Sequence, residues 1–166
     1  METETIEKLE FGKTTFNNDL ADVVALCGSW WKDSLFHKLY KIKYNVDISF
    51  FEVINSVQGL IYTIGRNDKG ECIACYVGFK APYMFNKDVI CANEVVWCVD
   101  KEHRNIRNLK GLLDAVDQLM LDEKVDLWNL NVSNEPKYDR LGNFLEKLGY
   151  NLMDKCYSNY KGDKDG

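Results

Sequence analysis

The apolar positions of this chain change period along its length, and the changes mark out its elements. After Asn17 or Asn18, either of which can cap a helix, Leu20, Val23, Val24, Cys27 and Trp30 or Trp31 fall three or four residues apart. That spacing predicts an amphipathic helix, interrupted near Gly28. Before it, Ile6, Leu9 and Phe11 are the only apolar marks in a polar lead-in that ends in a first edge strand. The stretch WWKDSLFHKLYKIKYN mixes aromatics with lysines. It reads as a helix-to-helix connection whose rings cover the core, or as a wall of an acceptor site. Asp47 then caps a short helix, DISFFEVINS, with Gly59 just past its end.

From Gly59 the period drops to two. GLIYTIG and ECIACYVGF read as strands of a hairpin, with turn chemistry from Asp68 to Gly70. A loop, KAPYMFNK, leads to a third strand, DVICANEVVWCV, which completes an antiparallel meander. The period then returns to helical. Leu109, Leu112, Leu113, Val116, Leu119 and Met120 form one stripe, with Asp114, Asp117 and Gln118 opposite, in a helix beginning near Leu109. VDLWNLNVS is a further strand, and strand-helix-strand order implies a right-handed crossover with parallel pairing. A last helix over about 138–148 carries Leu141, Phe144, Leu145 and Leu148 on one side and stops at Gly149. YNLMDKCYSNY reads as the closing strand, and the tail KGDKDG is too polar to pack. The pattern predicts an α/β (α+β) fold: a mixed, mostly antiparallel sheet flanked by helices, one domain over 1–166 with fraying ends at 1–10 and 162–166.

Candidate chemistry concentrates where EVVWCV passes through the basic turn HRNIRN into the helix. A strand that turns into a helix aims free backbone N–H groups and the positive helix end at one point, which suits an anion. Arg104 and Arg107 add guanidinium forks that match phosphate oxygens. His103 lies beside this turn and reads as a solvated or loop-bonded histidine, or as a further group to neutralise the anion. The net charge of −5 disfavours a general nucleic-acid binder, which needs a basic face. No apolar run is long enough to cross a bilayer and no secretory leader is visible, so the cytoplasm is the expected compartment. Six cysteines lie mostly in apolar segments and read as buried free thiols. Cys72 and Cys75 form a CxxC, but in a regular strand residues three apart face opposite ways, so no metal is expected there. No HxxxH spacing or Ser-His-Asp order appears either.

The order of elements, together with WCVDKEHRNIRNLKGLL, FLEKLGY and YSNYK, resembles the GNAT N-acetyltransferase superfamily over roughly residues 11–161. The stretch KAPYMFNKDVICANEVVWCVDKEHR is similar to small bacteriophage-encoded members, which would place the protein in a host cytoplasm. The resemblance implies acetyl-CoA as co-substrate and an acetyl transfer to an amine of a protein, peptide or small molecule. It places the pyrophosphate at Arg104, Asn105, Ile106, Arg107, Asn108 and Leu109, with Arg107 and Leu109 standing where the family has glycine or alanine. Asn105 and Asn108, the non-glycine residues that best tolerate left-handed backbone, would shape that loop. Backbone N–H groups near Trp97, Cys98 and Val99 would receive the oxyanion, and Asn131 and Asn134 would bond the pantetheine arm. Glu94 would act as base, with Tyr138, Tyr157 or Tyr160 as general acid because Leu145 stands where relatives have a tyrosine. The expected partner is the amine acceptor, without nucleic acid or membrane, for a monomer or homodimer. The alternative implied by the absent glycines is a catalytically degenerate GNAT-fold protein acting as a binding module on a host or virion partner.

Overall fold

The computed structural model describes residues 9–133 and 138–153. They divide into two compact units, one of residues 9–31 and 44–130, the other of residues 32–43 with 131–133 and 138–153.

The larger unit is built on a five-stranded sheet in sequence order: β1 (Glu10–Gly12), β2 (Leu60–Arg66), β3 (Cys72–Tyr83), β4 (Asn86–Val99) and β5 (Leu127–Trp128). The first four pair antiparallel, while β5 joins β4 in parallel after the crossover helix α4 (Ile106–Asp122). The mixed sheet expected from the periodicity is therefore present. Helix α4 covers one face with Leu112, Val116, Leu119 and Met120, packed on Ile61, Ile73, Ala74, Tyr76, Ala92 and Val99. Helices α1 (Phe16–Trp31) and α3 (Ile48–Gln58) cover the other with Leu20, Val23, Cys27 and Phe51, packed on Ile64, Cys75, Val77 and Cys98. The ring of Phe11 slots between Gly65 and Gly111, where an added Cβ would stand 2.6 Å and 3.2 Å from it. Two glycines thus let β1 pack under α4.

Several local expectations hold. Asp47 caps α3 by accepting from the Ser49 N–H, and Gly59 follows that helix at φ 73°. In the β2–β3 hairpin the Asn67 side chain accepts from the Lys69 and Glu71 N–H groups, tying the turn to Gly70.

Others are corrected. Helix α1 runs through Gly28 without a break, because the Tyr44 ring lies against that glycine, 3.1 Å from where a Cβ would be. Neither Asn17 nor Asn18 caps it. Both lie inside its first turn, and the buried Asp19 carboxylate instead ties down the chain ahead of the helix, accepting from Thr14 N and Thr14 Oγ1 at 2.8 and 2.7 Å. The segment read as the loop KAPYMFNK is mostly strand, with the turn confined to Met84 and Phe85. Pro82 fits there because β2 ends its pairing at Phe79, leaving that edge of β3 without a ladder to donate to. Residues 150–153 have no regular structure, and the rest of the expected closing strand, with Cys156, lies outside the described residues.

The smaller unit contains α2 (Leu35–Tyr40), capped by Ser34 Oγ accepting from the His37 N–H, and α5 (Asp139–Lys147). Leu145 is the buried residue of α5, and Gly149 stands past its end as its position implied.

Candidate active site

From Ile90 to Glu94 strand β4 pairs with β3 in regular register. Val77 pairs with Val96 and Gly78 with Glu94, so Val95 is an extra residue, a β-bulge. Val95 and Val96 consequently both face α1 and α3, and the alternation restarts in opposite phase, placing Trp97 and Val99 toward α4. Gly78 is required at the bulge. A Cβ there would lie 2.7 Å from the Tyr76 hydroxyl and 2.9 Å from the Asn93 carbonyl oxygen.

Strand β5 accompanies β4 below the bulge. The pairing is limited to Cys91 with Leu127 and Ala92 with Trp128, held from below by Asp126, which bonds Ile90 through both its backbone N–H and its carboxylate. The paired residues of β5 stop level with Ala92, so the stretch of β4 from Asn93 to Val99 lies above that two-residue ladder. The Asp100 N–H donates to the Ile73 carbonyl at 2.7 Å, which fixes the phase of the inner ladder. By antiparallel alternation the backbone groups of Cys98 then face β3, while those of Trp97 and Val99 face the outer side. Cys98 is therefore withdrawn from the three backbone donors expected from the sequence.

This side of β4 leads to the start of α4. One 3-10 turn, Lys101–His103, is capped by Asp100, whose carboxylate accepts from the Glu102 N–H and contacts His103 Nδ1 at 3.0 Å. Burial pushes the Asp100 pKa up, but the His103 contact and the backbone N–H donors outweigh it and hold the carboxyl below its ordinary value. Arg104 Nε donates to the Val99 carbonyl at 3.0 Å, folding this exposed side chain back onto the end of β4. Asn105 caps α4, its side-chain oxygen accepting from the Asn108 N–H at 2.9 Å. The buried Asn108 in turn donates to the His103 carbonyl at 2.9 Å.

The helix thus begins at Ile106 rather than near Leu109. Arg107, Asn108 and Leu109 lie in its first turn, and Asn105 has φ −139°; none of them takes positive φ. The two asparagines cap and brace the helix instead of shaping a left-handed loop. The first helical N–H groups, those of Ile106 and Arg107, meet no acceptor among the described residues. With the helix dipole behind them they form an anion-binding end.

At the sequence level no family model matches the chain and no curated protein is similar to it. Solved structures are similar in fold. The BH1408 protein from Bacillus halodurans, in a tetramutant form, superposes with TM-score 0.70 at 15% identity, over 92% of this chain and 99% of that one. Glucosamine-6-phosphate N-acetyltransferase from Arabidopsis thaliana gives 0.65 at 16% identity, over 93% and 99%. Ribosomal-protein-alanine N-acetyltransferase from Brucella melitensis biovar Abortus 2308 gives 0.64 at 13%, over 93% and 100%. The fold is that of the GNAT acetyltransferases.

Within this GNAT fold the larger unit brings together Glu94, Trp97, Val99, Arg104, Asn105, Ile106, Arg107, Asn108 and Leu109 along one strand edge and one helix start. Glu94 is half-buried opposite Gly78. Asn131 and Tyr138 belong to the smaller unit, the first exposed and the second at the start of α5. Asn134 and Tyr157 lie outside the described residues. Sequence reasoning missed Tyr76, fully buried on the α4 face with its hydroxyl over Gly78, the residue paired with Glu94. A tyrosine inside the apolar run CIACYVGF was the available signal.

Proposed function

We propose that this protein is an acetyl-CoA-dependent N-acetyltransferase acting on an amine of a protein, peptide or small molecule. The observation that carries the proposal is the continuity of three features: the bulge at Val95, the outer side of β4 above its two-residue pairing with β5, and the N–H groups of Ile106 and Arg107 at the head of α4. An extended pantetheine arm can bond that outer side as a strand would, while its pyrophosphate meets the helix end and Arg104.

Acetyl transfer removes a proton from the amine, stabilises an oxyanion and returns a proton to the departing thiolate. Glu94, directly or through water, takes the amine proton. The Trp97 or Val99 N–H, aimed at the outer side, donates to the oxyanion. The family resemblance of the sequence assigns the proton for the thiolate to Tyr138 or Tyr157 and the bonding of the arm to Asn131 and Asn134. In this reading Arg107 replaces with side-chain charge what glycine gives other family members by close approach. The helical backbone of Arg107 and Leu109 supports it, since neither residue is strained by its Cβ.

The test is ligand-dependent melting followed by thiol release with a panel of amines. Acetyl-CoA raises the Tm of the wild type. Arg104→Ala diminishes that rise, while Glu94→Gln keeps it and lowers turnover. No shift at millimolar acetyl-CoA would sink the proposal.

A further inference from the structure

Three cysteines that are far apart in sequence meet on the face of the sheet opposite α4. Cys27 comes from α1, Cys75 from β3 and Cys98 from β4, and their sulfur atoms all lie within 4.8 Å of one another. Cys75 and Cys98 are directly paired across the strands, with Sγ atoms 3.6 Å apart. All three are free thiols and all three are buried, Cys75 completely, while Cys27 and Cys98 keep 7% and 6% of their surface.

The separations are those of a ligand set. Three thiolates bound at about 2.3 Å to one centre lie roughly 4 Å from each other. The sulfurs therefore need to move by less than about 1 Å to share a centre. The surroundings then choose among centres. No further His, Cys, Asp or Glu joins the group among the described residues, so a zinc ion, which takes four ligands, would be left short. The lining is aliphatic and aromatic, from Leu20, Val23, Phe51, Ile64 and Val77. Three thiolates around a monovalent or divalent cation would leave net negative charge in this apolar core, which is costly to bury. Three thiolates around a trivalent centre leave none.

We infer that Cys27, Cys75 and Cys98 form a three-thiol site for a trivalent thiophilic metalloid of the arsenite class. The step needs no oxidant. Three S–H bonds and three As–OH bonds break, three As–S bonds form, and three waters leave; arsenic stays trivalent and the product is uncharged. This site lies on the face of the sheet that α1 and α3 cover, and the inference does not depend on acetyl transfer.

The test uses the reduced, folded full chain with arsenite alone. Native mass spectrometry is expected to show one adduct, heavier by one arsenic less three hydrogens, with three thiols protected from alkylation and a raised Tm. Cys27→Ala and Cys75→Ala each abolish the adduct, whereas Cys72→Ala and Cys91→Ala retain it. Alanine is small and apolar, and circular dichroism confirms that each variant is folded. Should one of the two fail to fold, the other decides. Absence of the adduct in the wild type, its persistence in a folded Cys27→Ala or Cys75→Ala protein, or its loss in Cys72→Ala overturns the assignment.

Discussion

Asn105 performs two tasks that one substitution can separate. Its side-chain oxygen caps α4 by accepting from the Asn108 N–H at 2.9 Å, and it stands beside the free N–H groups of Ile106 and Arg107. Aspartate caps as well as asparagine, so Asn105→Asp preserves the capping bond. It forfeits the 3.2 Å bond from Asn105 Nδ2 to the His103 carbonyl, but Asn108 holds the same oxygen at 2.9 Å. The Tm should therefore stay within about a degree of wild type. Anion binding should not survive so well. A new negative charge about 5 Å from a phosphate costs roughly 1–3 kcal/mol for effective dielectric constants between about 80 and 20. That weakens acetyl-CoA binding roughly 5- to 150-fold, more at low salt than at high. Asn105→Ala has the opposite profile. Losing the cap costs about 1 kcal/mol, a Tm loss of roughly 2–4 °C for a chain of this size, without introducing charge. Isothermal titration with acetyl-CoA at two salt concentrations, beside thermal melts, measures both effects. If Asn105→Asp binds acetyl-CoA as tightly as wild type at low salt, the start of α4 is not the pyrophosphate site.

Two further substitutions test the frame. Asp19 is fully buried and accepts from Thr14 and from Arg66 Nη at 3.0 Å, while Arg66 also reaches Asp22 at 2.6 Å. Asp19→Ala strands its donors and should cost about 3 kcal/mol, or roughly 6–12 °C in Tm; an unchanged melt would show that this network contributes nothing to stability. Gly78→Ala forces a Cβ against the Tyr76 hydroxyl and the Asn93 carbonyl oxygen, at an expected loss of roughly 1–3 kcal/mol. Adding Tyr76→Phe removes the first clash and not the second, so denaturant titration should show partial recovery, and its absence would place the strain elsewhere.

Local chemistry alone determined a large part of this protein. The order of elements, the Asp47 cap and the apolar stripe of α4 each rest on neighbours within a few residues, which a linear pattern records, and the order of strand, helix and strand implied the parallel return of β5. The stretch from Glu94 to Leu109 was likewise marked by its own residues as a strand feeding a basic helix start. Tertiary structure decided what those patterns could not contain. Bulges depend on the partner strand: at Val95 one reverses the alternation of β4. At Ile73, which Gly65 and Arg66 skip in pairing with Ala74 and Cys72, another puts Ile73 and Ala74 on one face. Cys72 and Cys75 therefore share the α1 face, against the regular alternation expected of them. The start of α4 moved three residues earlier because Asn105 found Asn108 as its capping partner and His103 was tied to Asp100. The meeting of Cys27, Cys75 and Cys98 needed a helix and two strands to be laid against each other. Spacing in sequence carries periods of two and about 3.6, but which strand lies opposite which, and with how many residues, is set only when the sheet closes over its core.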